Sequence, residues 1–211
     1  SEKEISNLFV RTGRIQFIVM AFILTGFILF GQQFIILWAG ENYRDTYLIA
    51  LFFFIPLTIP LIQNLGITIL QARNQIKFRA LLYIAIAVLS LVMQLVVVKK
   101  YGGVGCAAAI GSAILFGHVL IMNFYYFKTQ HINISSFWKE IGKMSVIPVI
   151  VGLITFLILQ LIKLETVVSL GTGIIIFSGI YIPLFWKLSM NNYERELLIK
   201  PLNEIIRRIK R

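Results

Sequence analysis

Residues 80–98 read ALLYIAIAVLSLVMQLVVV, without one charged side chain. A helix needs about 20 mostly apolar residues to cross the hydrocarbon of a bilayer. Only a helix satisfies its own backbone within one such segment. Outward from this run, five more charge-free windows appear at residues 15–40, 46–72, 101–127, 144–162 and 166–186. None shows the alternating polarity, in runs of about ten residues, that marks a membrane β-strand. The expected fold is therefore an all-α membrane protein with six transmembrane helices.

Composition agrees. Of 211 residues, 58% are hydrophobic and only 14% charged, with a mean hydropathy of +0.86. Soluble domains average about 45–50% apolar and about 25% charged. The net charge of +11 sits in short clusters between apolar runs. That arrangement fits lipid headgroups and the positive-inside rule, and it argues against a nucleic-acid partner.

Charge placement sets the expected orientation. Sixteen Lys and Arg fall on one side: Lys3, Arg11 and Arg14, then Arg73, Lys77 and Arg79, then Lys128, Lys139 and Lys143, then seven after the last window. The other side holds Arg44, Lys99, Lys100 and Lys163. The richer side reads as cytoplasmic, with both termini on it. The expected organisation is a cytoplasmic linker over 1–14, four spans over 15–127, a cytoplasmic loop over 128–143, two spans over 144–186 and a basic tail over 187–211. The polar, mixed-charge opening lacks a starting Met and a signal peptide, so a longer parent chain with a missing N-terminal part is expected.

In the tail, Leu197, Leu198, Leu202, Ile205, Ile206 and Ile209 fall at helical spacing, with Arg207, Arg208, Lys210 and Arg211 among them. Such a pattern describes an amphipathic helix, lying either on the cytoplasmic leaflet or on the protein's own inner loops. Pro201 falls inside it and would delay or kink it.

Several residues do more than fill a span. Pro56, Pro60, Gln63 and Asn64 share one face at offsets of 4, 7 and 8. That face either lines a polar substrate path beside a bent helix or hydrogen-bonds a neighbouring helix, because amides are costly against lipid. Gly105, Ala109, Ala113 and Gly117 recur every four residues and form a stripe for close helix packing. His118 follows as either an interhelical partner or a proton relay. Arg73, Lys77 and Arg79 in the turn after the second span either anchor topology or form a cytoplasmic mouth that attracts phosphate. Trp38 and Tyr43 near one boundary, and Tyr125, Tyr126 and Trp138 near the other, fit interfacial belts.

What is missing narrows the class. No span carries a carboxylate, which excludes an intramembrane aspartyl protease and disfavours a carboxylate proton relay. Two His and one Cys show no metal-ligand spacing, and Cys106 reads as a small packing residue. There is no phosphate-binding glycine loop, and no loop is long enough for a catalytic domain. Neither an enzyme nor a cofactor or metal is expected.

Three motifs resemble a family. Residues 37–43, L-W-A-G-E-N-Y, look like the Trp-x-Gly-x-x-Tyr exit of polysaccharide flippases. A span with Pro60 and Asn64 follows, closing in I-L-Q-A-R-N at 69–74. Residues 101–111, Y-G-G-V-G-C-A-A-A-I-G, resemble that family's glycine-rich helix start. Their order is similar to the C-terminal part of O-antigen and teichoic-acid exporters, in the superfamily that includes multidrug and lipid II flippases. The resemblance implies two bundles of helices around a cavity, with spans one to four in the second bundle and spans five and six added after it. It implies movement of an undecaprenyl-pyrophosphate-linked glycan across the bacterial inner membrane by alternating access. Such families place cations in the cavity. This chain has none in mid-span, so that role falls to Arg73, Lys77 and Arg79 or to missing sequence. A membrane assembly subunit without transport, and a multidrug antiporter of the same fold, remain as alternatives.

Overall fold

The computed structural model describes residues 1–161 and 164–209, with side chains through Lys200. It is helical, and no strand occurs among the described residues. Helix α1 covers Glu2–Ala39, followed by a 3-10 turn at Glu41–Tyr43. Helices α2 (Thr46–Ile62) and α3 (Leu65–Ala72) follow. Next come α4 (Ile76–Leu115), a π-helical segment (Phe116–Met122) and α5 (Asn123–Lys128). The chain ends in α6 (Ile134–Leu161), α7 (Val167–Leu188) and α8 (Asn192–Ile209). Five continuous helical stretches are long and apolar enough to cross a membrane, and the chain is a multi-pass membrane protein on that ground.

The longest stretch, Ile76–Lys128, is not one rod. Gly102 has φ 55° and ψ −140°, outside the helical region, a conformation open to glycine because it has no Cβ. The two arms fold back on each other about this residue. A Cβ added at Gly117 would lie 2.3 Å from Ile86 Cδ1, and the His118 ring meets Tyr83 edge-on with centroids 5.5 Å apart. In a straight helix, thirty residues would separate such partners by about 45 Å.

Helices extend past the expected span limits. The linker expected over 1–14 is the first part of α1, with Phe9, Gly13 and Arg14 buried. Most of the loop expected over 128–143 belongs to α6, which begins at Ile134. A connection at 129–133 remains, with His131 in the left-handed region at φ 54°. These ends are helical because they pack on one another. Phe9 lies between Tyr126 and Phe137, with centroids 5.6 and 5.1 Å away. Further along α1, Phe22 and Phe30 meet Phe177 of α7 at 6.0 and 5.7 Å.

Helix α7 starts at a side-chain cap, with Thr166 Oγ1 accepting from the Ser169 amide at 3.1 Å and so satisfying one of its orphan donors. Helix α8 runs through Pro201. The tail pattern expected at Leu202, Ile205, Ile206 and Ile209, with Arg207, Arg208, Lys210 and Arg211, lies outside the described side chains.

Candidate functional site: a helix break and its polar face

Helix α2 runs through two prolines, Pro56 and Pro60, before the break that separates it from α3. Each lacks the amide needed by the carbonyl four residues earlier. Helix α2 ends at Ile62, and Gln63 leaves helical geometry at φ −105° and ψ 16°. With its amide nitrogen assigned toward α2, Gln16 of α1 donates to the Leu61 and Ile62 carbonyls at 3.0 and 3.1 Å, and the Asn64 amide also donates to Leu61 O at 3.3 Å. Nothing in the sequence singles out Gln16, since its partners lie on another helix.

The break divides the face expected for Pro56, Pro60, Gln63 and Asn64. Pro56 is buried and Pro60 half-buried. Pro56 packs where the second arm of α4 comes closest: a Cβ added at Gly111 would lie 2.3 Å from Phe52 O and 3.2 Å from Pro56 Cγ. Gln63 turns inward and is 3% exposed. Its Nε2 donates to Asn123 Oδ1 at 2.8 Å, while its Oε1 has no partner. Asn64 is exposed. It begins a polar row with Thr68 and Gln71, also exposed, at offsets of 4 and 7 along α3.

The three cations of the following turn have separate roles. Arg73 NH1 donates to the Gln130 carbonyl and Oε1 at 3.0 and 3.1 Å, tying the turn to the 129–133 connection. Gln130 is itself buried and donates to Gln75 Oε1. Arg79 NH2 donates to Tyr83 OH at 3.0 Å and its guanidinium lies over that ring. Lys77 is exposed, with no ion pair or hydrogen bond among the described residues. Neither Lys77 nor Arg79 has an ion pair among the described residues, and Lys77 is the more exposed of the two.

The small-residue stripe is divided too. Gly105 packs on Tyr101 and Val97 of its own hairpin, and Gly117 on Ile86. Ala109 and Ala113 are buried. The closest approach of α2 falls instead at Gly111, off the four-residue spacing. His118 is buried in the π-helical segment. π-turns widen the helix locally and are frequent at functional sites.

A charged cluster escaped the sequence reading. Arg14 Nε donates to Glu194 Oε1 at 2.6 Å and NH2 to Glu194 Oε2 at 3.1 Å. NH1 donates to Glu140 Oε2 at 2.7 Å, and NH2 to the Ser189 carbonyl at 3.2 Å. Glu194 also accepts from the Asn191 amide at 2.9 Å and from Asn191 Nδ2 at 3.1 Å. Lys143 Nζ donates to Glu140 Oε1 at 2.6 Å. One guanidinium thus joins α1, α6, the end of α7 and the first turn of α8.

No group of three metal-ligating side chains occurs among the described residues. No family model, no curated protein and no solved structure matches this chain. The class rests on the molecule itself: a helical multi-pass membrane protein with a polar break in its second long helix.

Proposed function

We propose that this chain is the C-terminal part of a flippase that moves a lipid-linked oligosaccharide across the bacterial inner membrane by alternating access. One observation carries the proposal: the exposed row of Asn64, Thr68 and Gln71 beside the helix break that follows α2. Asn64 stands 18 residues after Thr46, about 27 Å along a helix. In this reading the row forms the cytoplasmic mouth of a substrate path, with Lys77 as its exposed cation. Neutral amides and a hydroxyl bind sugar hydroxyls without the stronger hold of charged partners, so the cargo can leave. Undecaprenyl-pyrophosphate-linked glycan is the proposed cargo, and the other wall of the path belongs to the proposed N-terminal part.

Asn64→Leu tests this by glycan export measured per folded molecule in membranes. A severalfold loss is expected. Unchanged export per folded molecule sinks the substrate path. The buried Gln63–Asn123 bond favours the alternative of an assembly subunit, whose polar groups serve helix contacts alone; that reading expects every effect to appear as instability.

Six crossings are proposed as well, with the arms of α4 crossing separately on either side of Gly102. In a Cys106→Ser background, thiol labelling from outside should reach Asn42→Cys and Lys100→Cys and spare Ile76→Cys. Outside labelling of position 76 overturns the topology.

A further inference from the structure

We infer that the groove between α1, α2 and α6 is a binding site for one acyl chain of an anionic phospholipid. Its floor is Phe17 and Ala21 of α1, Thr58 of α2 and Pro148 of α6, all buried. Its rim is Ile28, Val149, Leu153 and Phe156, between 43% and 59% exposed. Three hydroxyls line it, and none is offered to a polar ligand. Thr58 Oγ1 donates to the Phe54 carbonyl and Ser145 Oγ to the Ile141 carbonyl, each at 2.8 Å. Thr25 turns its methyl toward α6, where a Cβ added at Gly152 would lie 3.3 Å from it. The groove therefore presents hydrocarbon, and it is separate from the row of Asn64, Thr68 and Gln71, none of which lines it.

Depth, width and charge choose the occupant. Along α6 the lining runs from Ser145 to Phe156, a rise of about 16 Å. The hydrocarbon of one leaflet is about 15 Å deep. The same face of α6 continues outward through Gly142 to Trp138, three and seven residues before Ser145. Trp138 is half-buried, and indole rings settle at the level of the headgroups. The groove thus starts at the interface and ends near the bilayer midplane. Its volume of about 420 Å³, spread over that length, leaves a mean cross-section of about 26 Å². One hydrocarbon chain fits that section. An α-helix with its side chains, about 10 Å across, needs about 80 Å², so a further helix would rest on the rim and leave the groove to lipid. Lys139 supplies the charge. It lies six residues before Ser145, about 9 Å further out, where a chain in the groove would place its phosphate. Lys139 is exposed, with no ion pair or hydrogen bond among the described residues, and a Lys at the membrane surface attracts anionic headgroups.

The experiment uses the full-length protein in phosphatidylcholine vesicles with a trace of phosphatidylglycerol whose acyl chain carries a diazirine. After irradiation, peptide mapping locates the adducts. Adducts on residues 145–156 should exceed those on residues 88–96 of α4 severalfold, although Val88, Leu91, Val92 and Val96 are as exposed as the groove's rim. Val149→Trp fills the groove from its rim and should lower its adducts severalfold while leaving those on α4 unchanged. Leu153→Trp, a second rim position, should do the same. Lys139→Gln should lower them roughly fivefold and leave adducts of a phosphatidylcholine probe with the same chain unchanged. Adducts no denser in the groove than on α4 would overturn the site, as would adducts that persist in both Trp variants. Stronger displacement of the probe by undecaprenyl phosphate than by unlabelled phosphatidylglycerol would assign the groove to a polyprenyl chain and overturn the phospholipid. An unchanged yield in Lys139→Gln would overturn the anionic headgroup.

Discussion

Two polar regions interrupt this apolar chain, and they are built oppositely. At the α2–α3 break the groups are neutral and incompletely paired: Gln63 has one bond and one orphan oxygen, and Asn64 is exposed. At Arg14 the groups are charged and densely paired, with one guanidinium shared by two carboxylates and a carbonyl. A buried charge that loses its partner is far more costly than an amide that loses one bond. The Arg14 cluster therefore holds one arrangement of four helical elements, whereas the break leaves its donors and acceptors free to be exchanged. Anchoring needs the first property, and the proposed substrate path needs the second.

The largest expected effect follows from the first half of that contrast. Arg14→Leu strands Glu194 at a buried position and should cost about 3–5 kcal/mol in reversible unfolding. The double variant Arg14→Leu with Glu194→Leu should recover much of this, because both charges leave together. A cost for Arg14→Leu below about 1 kcal/mol, the range of solvated surface pairs, would erase the contrast.

The next effect is steric. Gly111→Ala drives a Cβ into the Phe52 carbonyl, 2.3 Å from its ideal position, and overpacking of that kind costs about 1–3 kcal/mol. Gly102→Ala should cost a similar amount through its positive φ, at about 1–3 kcal/mol. Gly179→Ala is the control: its Cβ would meet nothing within 4 Å, and Ala in place of helical Gly is neutral or gains up to about 1 kcal/mol. Equal losses at positions 111 and 179 would refute the close approach of α2 to the second arm of α4.

The apolar helices were legible because lipid tolerates no charge in a spanning segment, so the windows could be read between charges. Their ends were not. Residues 2–14 and 134–143 carry polar side chains that resemble loops, and they are helical because Phe9 and Phe137, both beyond the expected limits, pack on each other and Phe9 also on Tyr126. Arg14 was legible only as a positive charge at a span boundary. Its partners lie 126 and 180 residues away in sequence, and no local spacing points to them. The shared face of Pro56, Pro60, Gln63 and Asn64 assumed a continuous helix, and the chain leaves helical geometry at Gln63, after both prolines.

The smallest stability effect gives the finest test, because it separates adjacent amides. Gln63→Leu removes the bond to Asn123 and should cost about 1 kcal/mol, the scale of interhelical side-chain bonds in membranes. Loss of the orphan Oε1 works against that cost, since an unpaired buried acceptor is itself destabilising. Asn64→Leu removes an exposed amide with no side-chain bond among the described residues and should leave unfolding unchanged within about 0.5 kcal/mol. If the break works as a polar mouth, the order reverses in transport: Asn64→Leu lowers export per folded molecule more than Gln63→Leu does. Both quantities come from the same two variants, with unfolding followed in bicelles and export in intact membranes. Matching orders in the two measurements would make the break a packing feature, of the same kind as the Arg14 cluster and weaker; opposite orders would make it a path.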